Sequence, residues 1–475
     1  MNKNINVNVV VIGGGPAGYS AAFRCSDLGF STLIIEKYGI LGGTCLNVGC
    51  IPSKSFLYLA TLIKEIKEFS KYGIDLCANN KIDISKIMKW KDNIVLELSN
   101  GLKNMAEYRK IDILKGVAKF FKKNQLKVIL NNGKISYIKY DYAIIATGSK
   151  PITLSNFFSK DSRIWNSTHA LNSDFIPKKL LIIGAGIIGL EMATIYSTLG
   201  SEVDIIDNSE KFFPLIDKDV SDVFLKYIQK YFSISLNTSI LSSISDKDGI
   251  LVNTKINHNT YNSKMYHAIL IAVGRTANTD CLDINIPGIK VDKYGFIQVD
   301  NQMRTNISNI FAIGDVVGQP MLAHKGMHEA HIAAEVIAGK KHFFDPKVIP
   351  CVAYCDPEIA WTGIMEEEAK NKGINCRSII FPWKFLGKAI SSNCSIPGLT
   401  KLIVDTNSNR IIGGVIIGKH AGELLSQINL SIEMGCDIED IALTIHPHPS
   451  LSESINISAQ LFNGTATDMI NKNII

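Results

Sequence analysis

The tightest constraint on this chain is a pattern that occurs twice. A β-branched run, Val7-Asn8-Val9-Val10-Val11-Ile12, leads into Gly13-Gly14-Gly15-Pro16-Ala17-Gly18, an alanine-rich stretch to Gly29 and a second apolar run, Thr32–Glu36. The same grammar returns at Leu180–Ile183, Gly184-Ala185-Gly186-Ile187-Ile188-Gly189, a helical stretch to Gly200, and Val203–Asp207. Strand, glycine turn, helix, strand is a βαβ unit. In both copies the carboxylate that closes the second strand stands 23 positions after the first glycine, Gly13 to Glu36 and Gly184 to Asp207. A lone G-x-G-x-x-G is a weak signal. Here each copy follows a strand, opens a helix and is answered by an acidic residue, which is the context of a dinucleotide site. Gly13 allows the tight turn, Gly15 lets the backbone approach a pyrophosphate and Gly18 lets helix pack on strand. The helix N-terminus turns N–H donors toward the phosphates, and Glu36 takes ribose hydroxyls. Gly184, Gly186, Gly189 and Asp207 repeat the arrangement. The bland alternative for Asp207 is a strand cap. A 2′-phosphate there would face Asp207 and Glu210 with only Lys211 in compensation, so NAD is favoured over NADP.

At about 150 residues per domain, 475 residues predict about three domains. The expected class is α/β, with two Rossmann-like dinucleotide-binding domains and a C-terminal α+β domain. Two strand ends suggest where the chain passes between the units: Tyr142–Ala146 into Thr147-Gly148-Ser149, and Ala268–Val273 into Gly274-Arg275-Thr276. A further strand, Asn309–Ile313, runs into Gly314-Asp315. From Val348 short strands that read as alternating (Leu402–Val404, Ile411–Ile417) mix with helical stretches (Gly422–Met434, Ile438–Thr444). The boundaries read from this are 1–148, 149–277, 278–347 and 348–475, the first and third forming one domain.

Net charge is +6, spread along the chain, so a nucleic-acid partner is not indicated. The longest uncharged apolar stretch, Leu180–Leu190, is closed by Glu191 and falls short of the roughly 18 residues of a membrane helix. The first strand begins near residue 7, leaving no room for a signal peptide or a fused lipoyl domain; the default location is the cytoplasm. Of ten cysteines, Cys25, Cys77, Cys281, Cys351, Cys355, Cys376, Cys394 and Cys436 are scattered and read mostly as small buried hydrophobes.

The other two sit in Gly42-Gly43-Thr44-Cys45-Leu46-Asn47-Val48-Gly49-Cys50-Ile51-Pro52-Ser53-Lys54. Five residues of ideal helix rise ~7.5 Å, too far for the usual Cα separation of a disulfide. A bridge there needs a distorted turn, which Gly42, Gly43, Gly49 and Pro52 permit. This favours a redox-active pair over two inert thiols. The segment lacks the four-ligand context of a structural zinc site, and no metal is expected.

This segment, both glycine fingerprints, Ala146-Thr147-Gly148, Ala312-Ile313-Gly314-Asp315 and His446-Pro447-His448-Pro449-Ser450 through Glu453 together resemble the pyridine nucleotide–disulfide oxidoreductases. The match runs in order along essentially the whole chain. Within that family the resemblance is to the dihydrolipoamide dehydrogenases, the E3 components of 2-oxo acid dehydrogenase complexes. It implies an FAD site built from Gly13, Gly15, Gly18, Glu36, Thr44, Lys54, Thr147, Gly148, Asp315 and Ala323, and an NAD site built from Gly184, Gly186, Gly189, Glu191, Asp207 and Gly274. Lys54 and Glu191 resemble the ion pair beside the flavin ring; the bland alternative for either taken singly is a solvated helix residue. Cys45 would exchange with the dithiol substrate and Cys50 would lie against the flavin. His448, oriented by Glu453, would be the base that makes thiolates. Read without the resemblance, His446 and His448 in a proline-rich turn suit a surface loop equally well. The resemblance further implies a homodimer, a cis His448–Pro449 bond, and lipoyl domains and the E2 core as partners.

Departures are small: Ala277 replaces a common proline and Ser450 a threonine. Glutathione reductase-like enzymes are the nearest rival, but they place arginines where Asp207 stands and a tyrosine where Ile187 stands. Mercuric and large thioredoxin reductases need a further C-terminal redox pair, and this chain ends Asn471-Lys472-Asn473-Ile474-Ile475. A non-catalytic flavoprotein scaffold is the alternative from another class; it has no use for Cys45, Cys50, His448 and Glu453 together.

Overall fold

The computed structural model describes residues 3–74, 82–158, 160–257, 260–394 and 396–470. Cys77 and the terminal residues 471–475 lie outside them. The first glycine fingerprint joins β1 (Lys3–Ile12) to α1 (Pro16–Asp27), and β2 (Thr32–Glu36) follows. β2 pairs parallel with β1 in the register Val9–Thr32 to Ile12–Ile35. All five residues of β2 are buried, as expected of a parallel strand covered on both faces.

The chain then forms α2 (Gly43–Val48), α3 (Cys50–Glu68) and a 25-residue α4 (Ile84–Tyr108) before returning through β3 (Asp112–Lys122), β4 (Gln125–Leu130) and β5 (Ile135–Ile145). β5 lies parallel to β1, and the strand Ile310–Ala312, far along the chain, lies parallel to β5 and completes six strands. The second fingerprint sits in a five-stranded parallel sheet ordered Ser233–Ser235, Glu202–Ile206, Lys179–Ile183, Ala268–Ile271, Ile164–Trp165. An antiparallel three-stranded sheet (238–245, 250–256, 260–266) is appended to this unit. Where the chain leaves the first unit and returns from the second, Ser149–Pro151 and Arg275–Ala277 pair antiparallel, so the two crossings sit side by side.

The C-terminal module is a five-stranded antiparallel sheet with helices Ala421–Met434 and Glu453–Asn463. Its central strands, Leu399–Asp405 and Ile411–Gly418, do not alternate between buried and exposed residues as the sequence suggested; nearly every residue is buried. Both faces are covered. Leu402, Val404 and Ile416 pack toward the helices, whereas Ile403, Val415 and Ile417 share a core with Leu190, Phe213 and Phe224 of the second unit.

Among the described residues one helical run, Gly43–Tyr72, is long and apolar enough by length and composition to cross a membrane, a run the search for uncharged stretches passed over. It is broken at Gly49, and Phe56 and Leu57 sit in the same core as Leu190 and Ala193, so it is accounted for as a core helix. The scattered cysteines are less buried than expected. Among the described ones only Cys25 and Cys355 are buried, and Cys281 is exposed, because it lies in a turn rather than in an apolar element.

Candidate active site

The two glycine turns are built alike. Gly13 and Gly184 each hold φ at +108°, and a Cβ on either would stand 2.3 or 2.4 Å from a carbonyl oxygen of the neighbouring strand end, Ala146 or Ala272. A Cβ on Gly18 or Gly189 would meet the carbonyl of Gly13 or Gly184 at 1.9 or 2.0 Å. No side chain fits at these positions. The amide after the first glycine donates to the carboxylate: Gly14 N to Glu36 Oε2 at 2.7 Å, Ala185 N to Asp207 Oδ2 at 2.7 Å. The second oxygen accepts from the amide two residues on, Tyr38 N at 3.0 Å and Ser209 N at 2.8 Å. Each carboxylate is thus locked at the lip of its turn, with lone pairs remaining for ribose hydroxyls.

The surroundings of the turns differ. Gly42 N donates to Gly14 O at 2.8 Å, and a Cβ on Gly43 would lie 2.6 Å from Gly15 Cα, so the segment carrying the cysteines is seated on the first turn. At Gly186 a Cβ would meet nothing within 4 Å. The first site is roofed by the chain itself and the second is open.

Cys45 lies in α2 and Cys50 opens α3, with the helix interrupted at Gly49 (φ −138°, ψ −107°). The break follows from packing: a Cβ on Gly49 would stand 2.8 Å from Thr44 O. The two side chains are free thiols, Cys45 half-buried and Cys50 exposed. The hydrogen bond from Cys45 draws the Cys50 thiol down to about 7; surrounding protein opposes this by desolvation and the Lys54 ammonium assists it. Cys45 moves the other way, because it donates that bond and is partly desolvated. Near neutral pH the pair therefore holds its negative charge on Cys50.

Lys54, one turn on from Cys50, reaches Glu191 Oε1 at 2.9 Å and Oε2 at 3.0 Å. Burial disfavours the ammonium, but Glu191 more than offsets this and the lysine is held above its ordinary pKa. Tyr354, from the C-terminal module, supports both partners: its N–H donates to Glu191 Oε1 at 3.0 Å and its ring lies 4.6 Å from Lys54 Nζ. Tyr354 was not legible in the sequence, since a tyrosine between two cysteines just past a strand end carries no signal.

Asp315 follows the sixth strand of the first sheet. Its Oδ2 accepts from Ser149 Oγ at 2.5 Å, and Ser149 accepts from Arg275 Nε at 2.7 Å. Thr147 Oγ1 donates to Asn278 O at 2.8 Å, which ties the Thr147-Gly148 turn to the returning crossing. Gly274, at φ +117°, accepts from Ile152 N at 3.0 Å in that crossing. Ala323 is the first residue of the helix Ala323–Ile337, where backbone N–H groups are free to meet an anion. Thr44 lies in α2 beside Gly43. Arg275 and Ser149 were missed as a pair because 126 residues separate them.

His448 Nδ1 is 2.8 Å from Glu453 Oε1, and Ser450 N donates to Glu453 Oε2 at 2.6 Å. The His448–Pro449 peptide is cis. His446 is taken up locally, by Thr444 O at 2.8 Å and Gln427 at 2.7 Å. The His448 side chain is 81% exposed and no hydrogen bond or ion pair links it to either cysteine within the chain. Leu443 and Ile445, a few residues earlier in the chain, are 74% and 95% exposed.

Comparison with known proteins agrees with this geometry. Residues 7–330 match the sequence profile of the pyridine nucleotide-disulphide oxidoreductases, and residues 349–459 that of their dimerisation domain. The chain is 56% identical over 473 residues to the dihydrolipoyl dehydrogenase of Buchnera aphidicola subsp. Acyrthosiphon pisum, covering 99% of each, and 51% identical over 471 residues to that of Vibrio cholerae, covering 99% of this chain and 98% of the relative. Among solved structures it superposes on the HOCl-induced flavoprotein disulfide reductase RclA of Escherichia coli with a TM-score of 0.86 at 26% identity, covering 97% of this chain and 100% of that one. LpdA of Mycobacterium tuberculosis shares the fold, with a TM-score of 0.87 at 24% identity, covering 96% and 100%.

Proposed function

The chain belongs to the pyridine nucleotide–disulphide oxidoreductase family, and we propose that it is a dihydrolipoyl dehydrogenase, oxidising protein-bound dihydrolipoamide and reducing NAD. The observation that carries this reading is the Cys45–Cys50 pair at a broken helix, seated on a glycine turn, with its charge directed onto Cys50. The roofed first turn fits FAD, with Gly13, Gly15, Gly18, Glu36, Thr44, Thr147, Gly148, Asp315 and Ala323 around it. Bound there, FAD supplies a two-electron carrier between the thiols and NAD. The open second turn fits an exchangeable dinucleotide held by Gly184, Gly186, Gly189, Asp207 and Gly274, and the carboxylate of Asp207 selects NAD over its 2′-phosphate.

In the oxidised enzyme, His448 takes the proton of one substrate thiol. The resulting thiolate attacks Cys45 Sγ, forming a mixed disulfide and releasing Cys50 as thiolate. His448 passes that proton to the departing Cys45 and takes the proton of the second substrate thiol, whose sulfur attacks the substrate sulfur of the mixed disulfide. Lipoamide leaves with its ring disulfide closed and Cys45 leaves as thiol, so two electrons and two protons have passed from substrate to protein. Lys54, fixed by Glu191 and Tyr354, stabilises the Cys50 charge throughout. Glu453 fixes the orientation of the His448 ring through its contact with Nδ1.

His448 stands exposed on the C-terminal module, with no hydrogen bond or ion pair to the cysteines of its own chain. We read it as serving the cysteines of a second copy in a homodimer, with the E2 core and its lipoyl domains as the physiological partners in the cytoplasm. The domain division is the one read above: 1–148 with 278–347 for FAD, 149–277 for NAD, 348–475 for the interface. A steady-state assay of dihydrolipoamide against glutathione disulfide, each with NAD(H) and NADP(H), tests the reading. Turnover with dihydrolipoamide and NAD is expected; preference for glutathione disulfide and NADPH would overturn it.

A further inference from the structure

Lys401 is a lysine with no exposed surface, in the central strand Leu399–Asp405 of the C-terminal sheet. Its Nζ lies 2.9 Å from Asp217 Oδ2, 2.9 Å from Asp219 Oδ2 and 3.0 Å from Glu366 Oε2. Asp217 and Asp219 belong to the start of the helix Lys218–Ile228 of the second unit, and Glu366 opens the short helix Glu366–Asn371 of the C-terminal module. Asp217 also accepts from the Glu366 and Glu367 amides at 3.1 and 3.2 Å, and Glu366 Oε2 accepts from Ser378 Oγ at 2.6 Å. One buried ammonium thus fastens two units of the fold together through carboxylates that are otherwise satisfied.

The segment it fastens begins at the second fingerprint's carboxylate. Asp207 is locked to the turn through Ala185 N, its second oxygen accepts from Ser209 N two residues on, and the chain runs from there directly to Asp217. Midway, the Phe213 ring meets Trp361 of the C-terminal sheet edge-on at 5.3 Å. Phe213 holds φ at +46°, a left-handed conformation that a bulky residue keeps only where its surroundings over-determine it. Lys211 pairs with Glu367 at 3.3 Å. The strap from Asp207 to Asp219 is therefore pinned to the C-terminal module at three points, while the Gly186 mouth beside it stays open.

We propose that Lys401 is a positioning residue for NAD: by clamping Asp217 and Asp219 it fixes the strap that carries Asp207 and so sets the ribose-binding edge of the second site. The proposal rests on the reading of that site as the NAD site. A small displacement of a binding group is enough to be measured, since misplacement by about 1 Å can cost on the order of a hundredfold.

The test uses the holoenzyme and two variants. Lys401→Met removes the clamp. Asp217→Asn/Asp219→Asn cuts it from the second unit while leaving Lys401 its Glu366 partner, so no buried charge is stranded, and it decides the matter if the first variant does not fold. For each, the calorimetric Kd of NAD is measured beside the rate of flavin reduction by dihydrolipoamide without NAD. Expected is a Kd weakened about tenfold or more with the NAD-free rate kept within about twofold. An unchanged Kd, or a loss of both quantities together, would overturn the proposal. The Kd needs no turnover, so absence of dihydrolipoamide oxidation in the unaltered enzyme counts against the functional reading and not against the clamp.

Discussion

The two glycine turns of this chain share one geometry and differ in what covers them. Both hold the first glycine at φ +108° and both donate the next amide to a carboxylate at 2.7 Å. Over the first, the Gly42-Gly43 segment hydrogen-bonds to Gly14 and brings Cys45 and Cys50 with it. Over the second there is open space at Gly186. On the proposed reading, identical recognition elements serve a resident cofactor where the chain closes over them and an exchangeable one where it does not, so that the cover rather than the fingerprint makes the distinction.

Substituting the two mouths breaks the comparison most directly. Gly43→Ala sets a Cβ 2.6 Å from Gly15 Cα and forces a residue with a side chain to φ +55°, so the cover must lift. The purified variant is expected to lose most of its FAD, read from the ratio of flavin to protein absorbance. Gly186→Ala adds a methyl where nothing lies within 4 Å, and its FAD content should match the parent while only NAD affinity weakens. Equal FAD loss in both would show that the cover is irrelevant.

Next in size is the choice of dinucleotide. Asp207→Arg exchanges repulsion of a 2′-phosphate for attraction, on the order of 1–3 kcal/mol at the effective dielectric of a partly exposed site. The ratio of kcat/KM for NADP over NAD should rise by about ten- to a hundredfold. A ratio that does not move would mean that Asp207 only closes its strand.

Lys54→Met sharpens the contrast on the dithiol side. The ammonium helps hold Cys50 near 7, so its removal should move the thiolate titration upward, read as the pH dependence of alkylation of the reduced enzyme. A downward shift would contradict the charge assignment.

The smallest effect expected is on acid stability. Glu366 is held down to about 2, chiefly by Lys370 and then by Ser378, with Lys401 contributing and desolvation opposing. A carboxylate lowered on folding adds stability that is present above its ordinary pKa and is lost as pH falls toward 2. Glu366→Gln should therefore flatten the fall of melting temperature between about pH 4.5 and 2. An unaltered acid limb would show that the carboxylate is not what titrates there.

What the sequence disclosed follows a physical rule. The fingerprints were legible because sterics demand glycine at fixed spacing: a Cβ on Gly18 would stand 1.9 Å from Gly13 O, and no other residue could hide the need. The cysteine pair and its break were legible for the same reason, through Gly49. The His448–Glu453 pair was legible as a spacing, though not its distance from the thiols, since it lies in a module whose place relative to them no local pattern encodes. α4 passed unread because its apolar face is interrupted by residues left exposed, Leu96, Leu98 and Tyr108 among them. Tyr354 under Lys54 and the Lys401 clamp were unreadable on other grounds. Their partners lie far away in sequence, 182 residues from Asp219 to Lys401, and a lysine in a strand or a tyrosine just past one announces nothing by itself.

The central claim is that Cys45 and Cys50 receive an electron pair from dihydrolipoamide and lose it to NAD. Differential alkylation with peptide mass mapping measures this on the holoenzyme. Both cysteines should resist labelling in the oxidised enzyme, both should label after one equivalent of dihydrolipoamide, and addition of NAD should restore the resistance. Labelling of positions 45 and 50 that is indifferent to dihydrolipoamide and to NAD would contradict the account.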